Sequence, residues 1–172
     1  MPTSPLGSTG FAISALSLGC GTVGGLMIRG AARDRERAVA MALEAGVTYF
    51  DNAASYGDGV SETHLGAVWK VLQPDARVGT KFGLAGMAEG DVAGEIERSL
   101  DASLARLQMD AVDLFQLHNP LVVPGPNGAP RRRAALTAAF VNAHVVPVLQ
   151  RLKQRGKVRW IGFTGVGETA AI

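Results

Sequence analysis

Residues 49–66 read YFDNAASYGDGVSETHLG. Tyr49 and Phe50 close a short apolar run that begins at Val47, the composition of a buried strand. Asp51 ends that run, and Tyr56 follows five residues later among small residues. Ser61 is then the expected N-cap of a helix through Leu65, Val68 and Leu72 that stops at Pro74. Glu62 sits in its first turn, where the helix dipole favours a carboxylate. The order strand, polar loop, helix decides the fold because it repeats on both sides of this stretch.

Upstream, Leu16–Gly19 is a short strand ending in the turn GCGTVGG, and Asp34 is the expected N-cap of a helix to Ala45, closed by Gly46. Downstream, Ala76–Lys81 is the third strand. Asp91 caps a helix whose apolar stripe is Ile96, Leu100, Leu104 and Leu107, a period of 3.6. Val112–Leu117 is apolar almost throughout, as a strand covered on both faces should be. Residues 120–133 hold Pro124, Gly125, Pro126 and Gly128 and read as a loop. A helix over Thr137–Arg155, kinked or split at Pro147 and ended by Gly156, leads to the strand Val158–Phe163, and Glu168–Ile172 opens a further helix. Strand starts spaced by roughly 30 residues or more are strand–crossover–strand units, which build a parallel sheet with right-handed crossovers. No linker divides the chain, so residues 1–172 form one domain.

Among 172 residues, 47% are hydrophobic and 19% charged, which argues for a packed core over a disordered tail. Seventeen Lys and Arg against fifteen Asp and Glu leave a net charge of +2, too little for a nucleic-acid-binding face. The run Arg131-Arg132-Arg133 reads as a solvated loop. Cys20 is the single cysteine, so neither an intrachain disulfide nor a cysteine metal cluster is expected. The first residues show no charged segment followed by an apolar one, and Ala134–Leu149 is interrupted by Thr137, Asn142, His144 and Pro147. Neither a signal peptide nor a membrane span is expected, and a cytoplasmic location is the default.

Three chemically capable side chains end three successive strands: Asp51, Lys81 and His118. Ligands of parallel α/β folds bind at that edge of the sheet. Tyr56 lies in a loop on the same edge, joined by Gly21 and Thr22 after the first strand and Thr164 and Gly165 after the fifth. Each has a bland reading alone, as a turn residue, a strand end or a hydrogen-bonded histidine. Packing does not ask for all of them at one edge. Together they suit acid–base work on a carbonyl. A free phenol, with a pKa of about 10, exchanges protons poorly at neutral pH, and a neighbouring ammonium favours its ionised form. Lys81 is placed to supply that charge, Asp51 to hold the lysine, and His118 to orient the substrate oxygen. His64 and His144 lack such a setting and read as helix residues without a role.

The stretch at 49–66, with GTK, RSLDASLARLQMDAVDLFQLHNP and GKVRWIGFTG in the same order, resembles the aldo-keto reductase superfamily over essentially all of Leu6–Ile172. GDGVSET, LFQLHN and FTGVGETAA look most like the bacterial branch that includes aldose dehydrogenases. The resemblance implies a (β/α)₈ barrel of the TIM type that uses NADPH or NADP, with NAD(H) not excluded, on a small carbonyl or sugar. It makes Tyr56 the general acid, Lys81 and Asp51 its tuning pair and His118 the substrate-orienting histidine. It places Gly21, Thr22, Asp51 and Thr164 against the cofactor, and Phe11–Ser14 in a hairpin under the barrel. Where the family usually has Ser-Asn, this chain has Thr164-Gly165, keeping a hydroxyl but not the amide. A complete barrel takes about 250 residues, so the resemblance implies an incomplete barrel of five units here.

Two further readings stay open. One is a cofactor-independent isomerase or dehydratase on the same tetrad, and the other is a non-catalytic half-barrel that assembles with itself or a partner. Open strand edges lead to an expectation of self-association or of a longer parent chain.

Overall fold

The computed structural model describes residues 1–86, 90–125 and 134–172. The Arg131–Arg133 run and much of the proline-rich loop lie outside the described residues. The chain opens with an antiparallel hairpin, β1 (Thr3–Pro5) and β2 (Ala12–Ser14). Five strands then form one parallel sheet in sequence order: β3 (Leu18–Gly19), β4 (Tyr49–Asp51), β5 (Arg77–Phe82), β6 (Val112–Leu117) and β7 (Val158–Phe163). Helices cover the face away from the hairpin-capped interior: α1 (Leu26–Arg29), α2 (Ala32–Glu44), α3 (Val60–Leu72), α4 (Val92–Leu107), α5 (Ala138–Phe140) and α6 (Val146–Gln154). Sequential strand order without a switch point is barrel topology, and among the described residues the five strands form an open sheet.

Alternation along the strands sets the two sides of the sheet. Phe50, Val78, Phe82 and Phe115 point outward into the helical layer and are almost wholly buried. Phe82 and Phe115 stack with centroids 4.7 Å apart, and Phe50 meets Trp69 edge-on at 4.9 Å. The α4 stripe of Ile96, Leu100, Leu104 and Leu107 is buried against them, as its spacing requires. The opposite side carries Tyr49, Asp51, Gly79 and Lys81, with Leu114 and Trp160 in register on the next two strands. Phe11 of the hairpin reaches Trp160 with centroids 6.1 Å apart.

Several element ends differ from their sequence reading. Asp34 does not cap α2. The cap position is Ala31, without a side-chain bond, and Asp34 lies in the first turn. Ser61 does not cap α3 either. Gly59, left-handed at φ 88°, starts the helix, and the Ser61 hydroxyl donates instead to the Cys20 carbonyl at 2.8 Å. A longer-range acceptor outcompetes the local one, and only tertiary structure brings it near. Asp91 does cap α4, accepting from the Gly94 N–H at 3.0 Å. The helix from Thr137 is split: a π-helical turn over Val141–Val145 precedes Pro147, whose ring clashes with an ordinary preceding turn. Glu168–Ile172 forms a short 3₁₀ turn over Thr169–Ala171. No helix among the described residues is long and apolar enough to cross a membrane.

Candidate active site

The C-terminal ends of β4, β5 and β6 bring Asp51, Lys81 and His118 to one edge, with Tyr56 on the loop after β4. Three backbone bonds fix that loop to its neighbour strand and its own turn. The Asn52 N–H donates to the Gly79 carbonyl, that of Ala54 to the Lys81 carbonyl and that of Tyr56 to the Ala53 carbonyl, at 2.9, 3.0 and 3.1 Å. Lys81 is buried to 5% exposure, unusual for a lysine, and each of its three ammonium protons has a partner. Nζ donates to Asp51 Oδ2 at 2.7 Å, to the Asn52 carbonyl at 2.8 Å and to the Tyr56 hydroxyl at 3.3 Å. That tripod holds the phenol oxygen at a set place.

His118 faces Tyr56 edge-on, with ring centroids 6.0 Å apart. Its backbone N–H donates to the Phe82 carbonyl at 2.8 Å, and its Nδ1 lies 3.5 Å from the Ser55 hydroxyl. Partial burial, and secondarily the Lys81 charge, hold the imidazole below its ordinary pKa, with Asp51 opposing. At neutral pH the ring is therefore uncharged and has one N–H to offer.

Two hollows flank the Tyr56–Lys81 contact. One, of about 280 Å³, is lined by Gly19, Gly21, Thr22, Asp51 and Tyr56. The other, of about 240 Å³, lies among Ser55, Lys81, Leu84, His118 and Asn119. Gly21 keeps the first one open: a Cβ there would already touch the Tyr56 ring at 3.4 Å. A larger hollow of about 560 Å³, bordered by Gly66, Trp69 and Lys70, lies on the outer helices away from these residues.

Asp51, Tyr56, Lys81 and His118 thus come together, and Gly21 and Thr22 line the hollow beside them. Thr164 lies at the end of β7, where its hydroxyl donates to the Leu117 carbonyl at 3.2 Å, and it lines neither hollow. Asn119 escaped the sequence reading. Buried, it accepts from the Leu84 N–H and donates to the Leu84 carbonyl, both at 2.8 Å, and donates to the Ala134 carbonyl at 2.6 Å. It ties the loops after β5 and β6 together beside His118. Its place next to a strand-end histidine was the available signal.

The aldo/keto reductase family model matches residues 15–171. This chain belongs to that family. The aldo/keto reductase chain is 34% identical over 164 residues to L-galactose dehydrogenase of Arabidopsis thaliana, covering 94% of this chain and 47% of that one. It is 29% identical over 186 residues to an NADH-specific methylglyoxal reductase of Escherichia coli, covering 96% and 52%. Among solved structures, an aldo-keto reductase from Bacillus halodurans in its holo form superposes with a TM-score of 0.72 at 27% identity, covering 96% of this aldo/keto reductase chain and 51% of that one. The chain therefore spans about half the length of the relatives it matches, and its open five-stranded sheet corresponds to that part of the barrel.

Proposed function

We propose that this chain carries the proton-handling site of a nicotinamide-dependent oxidoreductase acting on a small carbonyl or sugar. One observation carries the reading: the Lys81 ammonium is bonded to the Asp51 carboxylate and the Tyr56 hydroxyl at once. In the reductive direction, Tyr56 gives its hydroxyl proton to the carbonyl oxygen, and Lys81 stabilises the oxygen charge left behind. Asp51 and the Asn52 carbonyl hold Lys81 so that little reorganisation accompanies the transfer. The neutral His118 donates its N–H to the same substrate oxygen and orients it. In the oxidative direction the tyrosine oxygen takes the proton back.

The hollow between Gly21, Thr22, Asp51 and Tyr56 fits the nicotinamide end of the cofactor. Its floor is glycine backbone, its wall is the Tyr56 ring, and its volume lies just below the range for drug-sized ligands, so it takes part of a dinucleotide. When bound, the nicotinamide supplies or accepts the hydride. NADP(H) follows from the resemblance, and the relative named for NADH keeps NAD(H) within the reading. The sugar class follows from the L-galactose dehydrogenase relative. The hollow beside His118 and Asn119 is where that substrate enters.

The test is carbonyl-dependent oxidation of NADPH and NADH, followed by nicotinamide fluorescence, for the parent and for Tyr56→Phe. Loss of the acid is expected to cost on the order of 10²–10⁴ in rate, with cofactor-induced fluorescence change retained. Equal rates would remove Tyr56 from the mechanism. Turnover without added nicotinamide would favour the cofactor-independent reading.

A further inference from the structure

Tyr56 and Lys81 reach each other from different elements, the loop before α3 and the strand β5. Their 3.3 Å separation therefore depends on how α3 is fastened to β5. The fastening is a polar one inside the helical layer. Glu62, in the first turn of α3, is fully buried. Its Oε1 accepts from the hydroxyl of Thr80, the residue beside Lys81, at 2.5 Å. Its Oε2 accepts from Arg106 of α4 at 2.7 Å, through both Nε and Nη2. Arg106 also donates to Ser103 at 3.3 Å. The same arginine stem packs on Gly59, where a Cβ would fall 2.6 Å from Cδ and Nε. Gly59 is three residues past Tyr56, and the Ser61 N–H donates to the Tyr56 carbonyl at 3.2 Å. One carboxylate thus bonds the strand that carries Lys81, and the guanidinium that neutralises it presses on the loop that carries Tyr56.

We propose that Glu62 and Arg106 form a positioning pair that sets Tyr56 against Lys81, rather than a pair that only stabilises the fold. The proposal rests on the reading of Tyr56 as the proton donor for its consequence in catalysis, but not for its structural test. Glu62 is fully buried and the Arg106 side chain is 30% exposed; replacing such a largely buried charge pair as a whole with apolar side chains is often neutral for stability. Glu62→Leu combined with Arg106→Leu therefore separates the two roles: the packing remains while the bond to Thr80 and the guanidinium contact on Gly59 go.

The chain has only two tyrosines, so labelling with [¹³Cζ]tyrosine gives two resonances, and Tyr49→Phe assigns them. Lys81→Met is expected to move the Tyr56 resonance in the parent background, because it removes the donor to that oxygen. In the Glu62→Leu/Arg106→Leu background the same Lys81→Met change is expected to move it by less than half as much, at a melting temperature within a few degrees of the parent. Should the double variant not fold, Glu62→Gln, which keeps the shape and a hydrogen bond to Thr80 but weakens the arginine contact, is expected to reduce the response partially. Where turnover is measured, kcat falls at least tenfold in the double variant while KM for the carbonyl stays within about twofold. A folded double variant, or folded Glu62→Gln if the double variant fails, with the full parental response to Lys81→Met would overturn the positioning role. So would a parent resonance that ignores Lys81→Met. A reduced response with unchanged turnover leaves the positioning intact and removes Tyr56 from the chemistry, so the two readings fail separately.

Discussion

The hydroxyl of Tyr49 fills the space in which a side chain on residue 79 would begin. A Cβ built on Gly79 would collide with that oxygen, so the strand carrying Lys81 has a glycine two residues earlier for a steric reason. Among the described residues the hydroxyl has no hydrogen-bond partner, an uncommon state for a buried polar atom. Burial, with Asp51 and Asp113 nearby, pushes the phenol well above its ordinary pKa.

Gly79→Ala is expected to destabilise the chain by about 1–3 kcal/mol through overpacking. Tyr49→Phe removes an unpaired hydroxyl and is expected to be neutral or slightly stabilising. In the double variant the alanine has more room, so part of the Gly79→Ala loss is expected back. Denaturant midpoints of the four proteins check this, and additive effects would show that the two residues do not share that space.

Cys20 is expected to be an inert thiol. Burial first, then the Asp51 charge, pushes it from its ordinary value near 9 up to about 12, against a smaller opposing effect of Lys81. Native protein is therefore expected to react with a disulfide reagent only as fast as it opens, and at once when unfolded. The folded pKa is the higher one, so this group's share of stability is intact below about pH 9 and is lost as pH rises toward 12. Rapid labelling of folded protein at pH 7 would contradict the burial.

His118 is expected to titrate below its ordinary value of 6.5. The folded pKa is the lower one, so its contribution to stability is present above about pH 6.5 and is lost as pH falls through the folded value. Lys81→Met removes the second cause and leaves Asp51 without its partner, so the His118 midpoint is expected to move up. The imidazole resonances followed by NMR against pH report it. A midpoint that stays in place would mean that burial alone sets it.

β7 leaves one edge of the sheet unpaired among the described residues, and Phe163 at its end is 44% exposed. An open edge beside apolar surface invites another strand, so the chain on its own is expected to self-associate. Light scattering after size exclusion is expected to give a mass above the monomer, lowered by Phe163→Lys. A monodisperse monomer at all concentrations would show that the edge is protected without a partner.

The alternation of elements and the placing of the reactive residues follow from the chain alone. The Ile96–Leu107 stripe has the helical period, Val112–Leu117 is largely apolar without alternation, and Asp51, Lys81 and His118 each stand at the C-terminal end of a strand, so parallel topology puts them on one edge whatever the packing details. Membership of the aldo/keto reductase family was legible in the same stretches. Local competition hid the rest. Ser61 next to a helix start suits a cap by every local rule, yet its hydroxyl donates to a carbonyl 41 residues away. Glu62 suits the helix dipole, and what it serves is an arginine 44 residues on and a threonine 18 residues on. Asn119 ties two loops whose meeting depends on both strands ending level. Periodicity reports which face of an element is buried, because burial averages over many neighbours. A hydrogen bond depends on one partner at one distance, and for these residues that partner is brought near only when the helices settle onto the sheet.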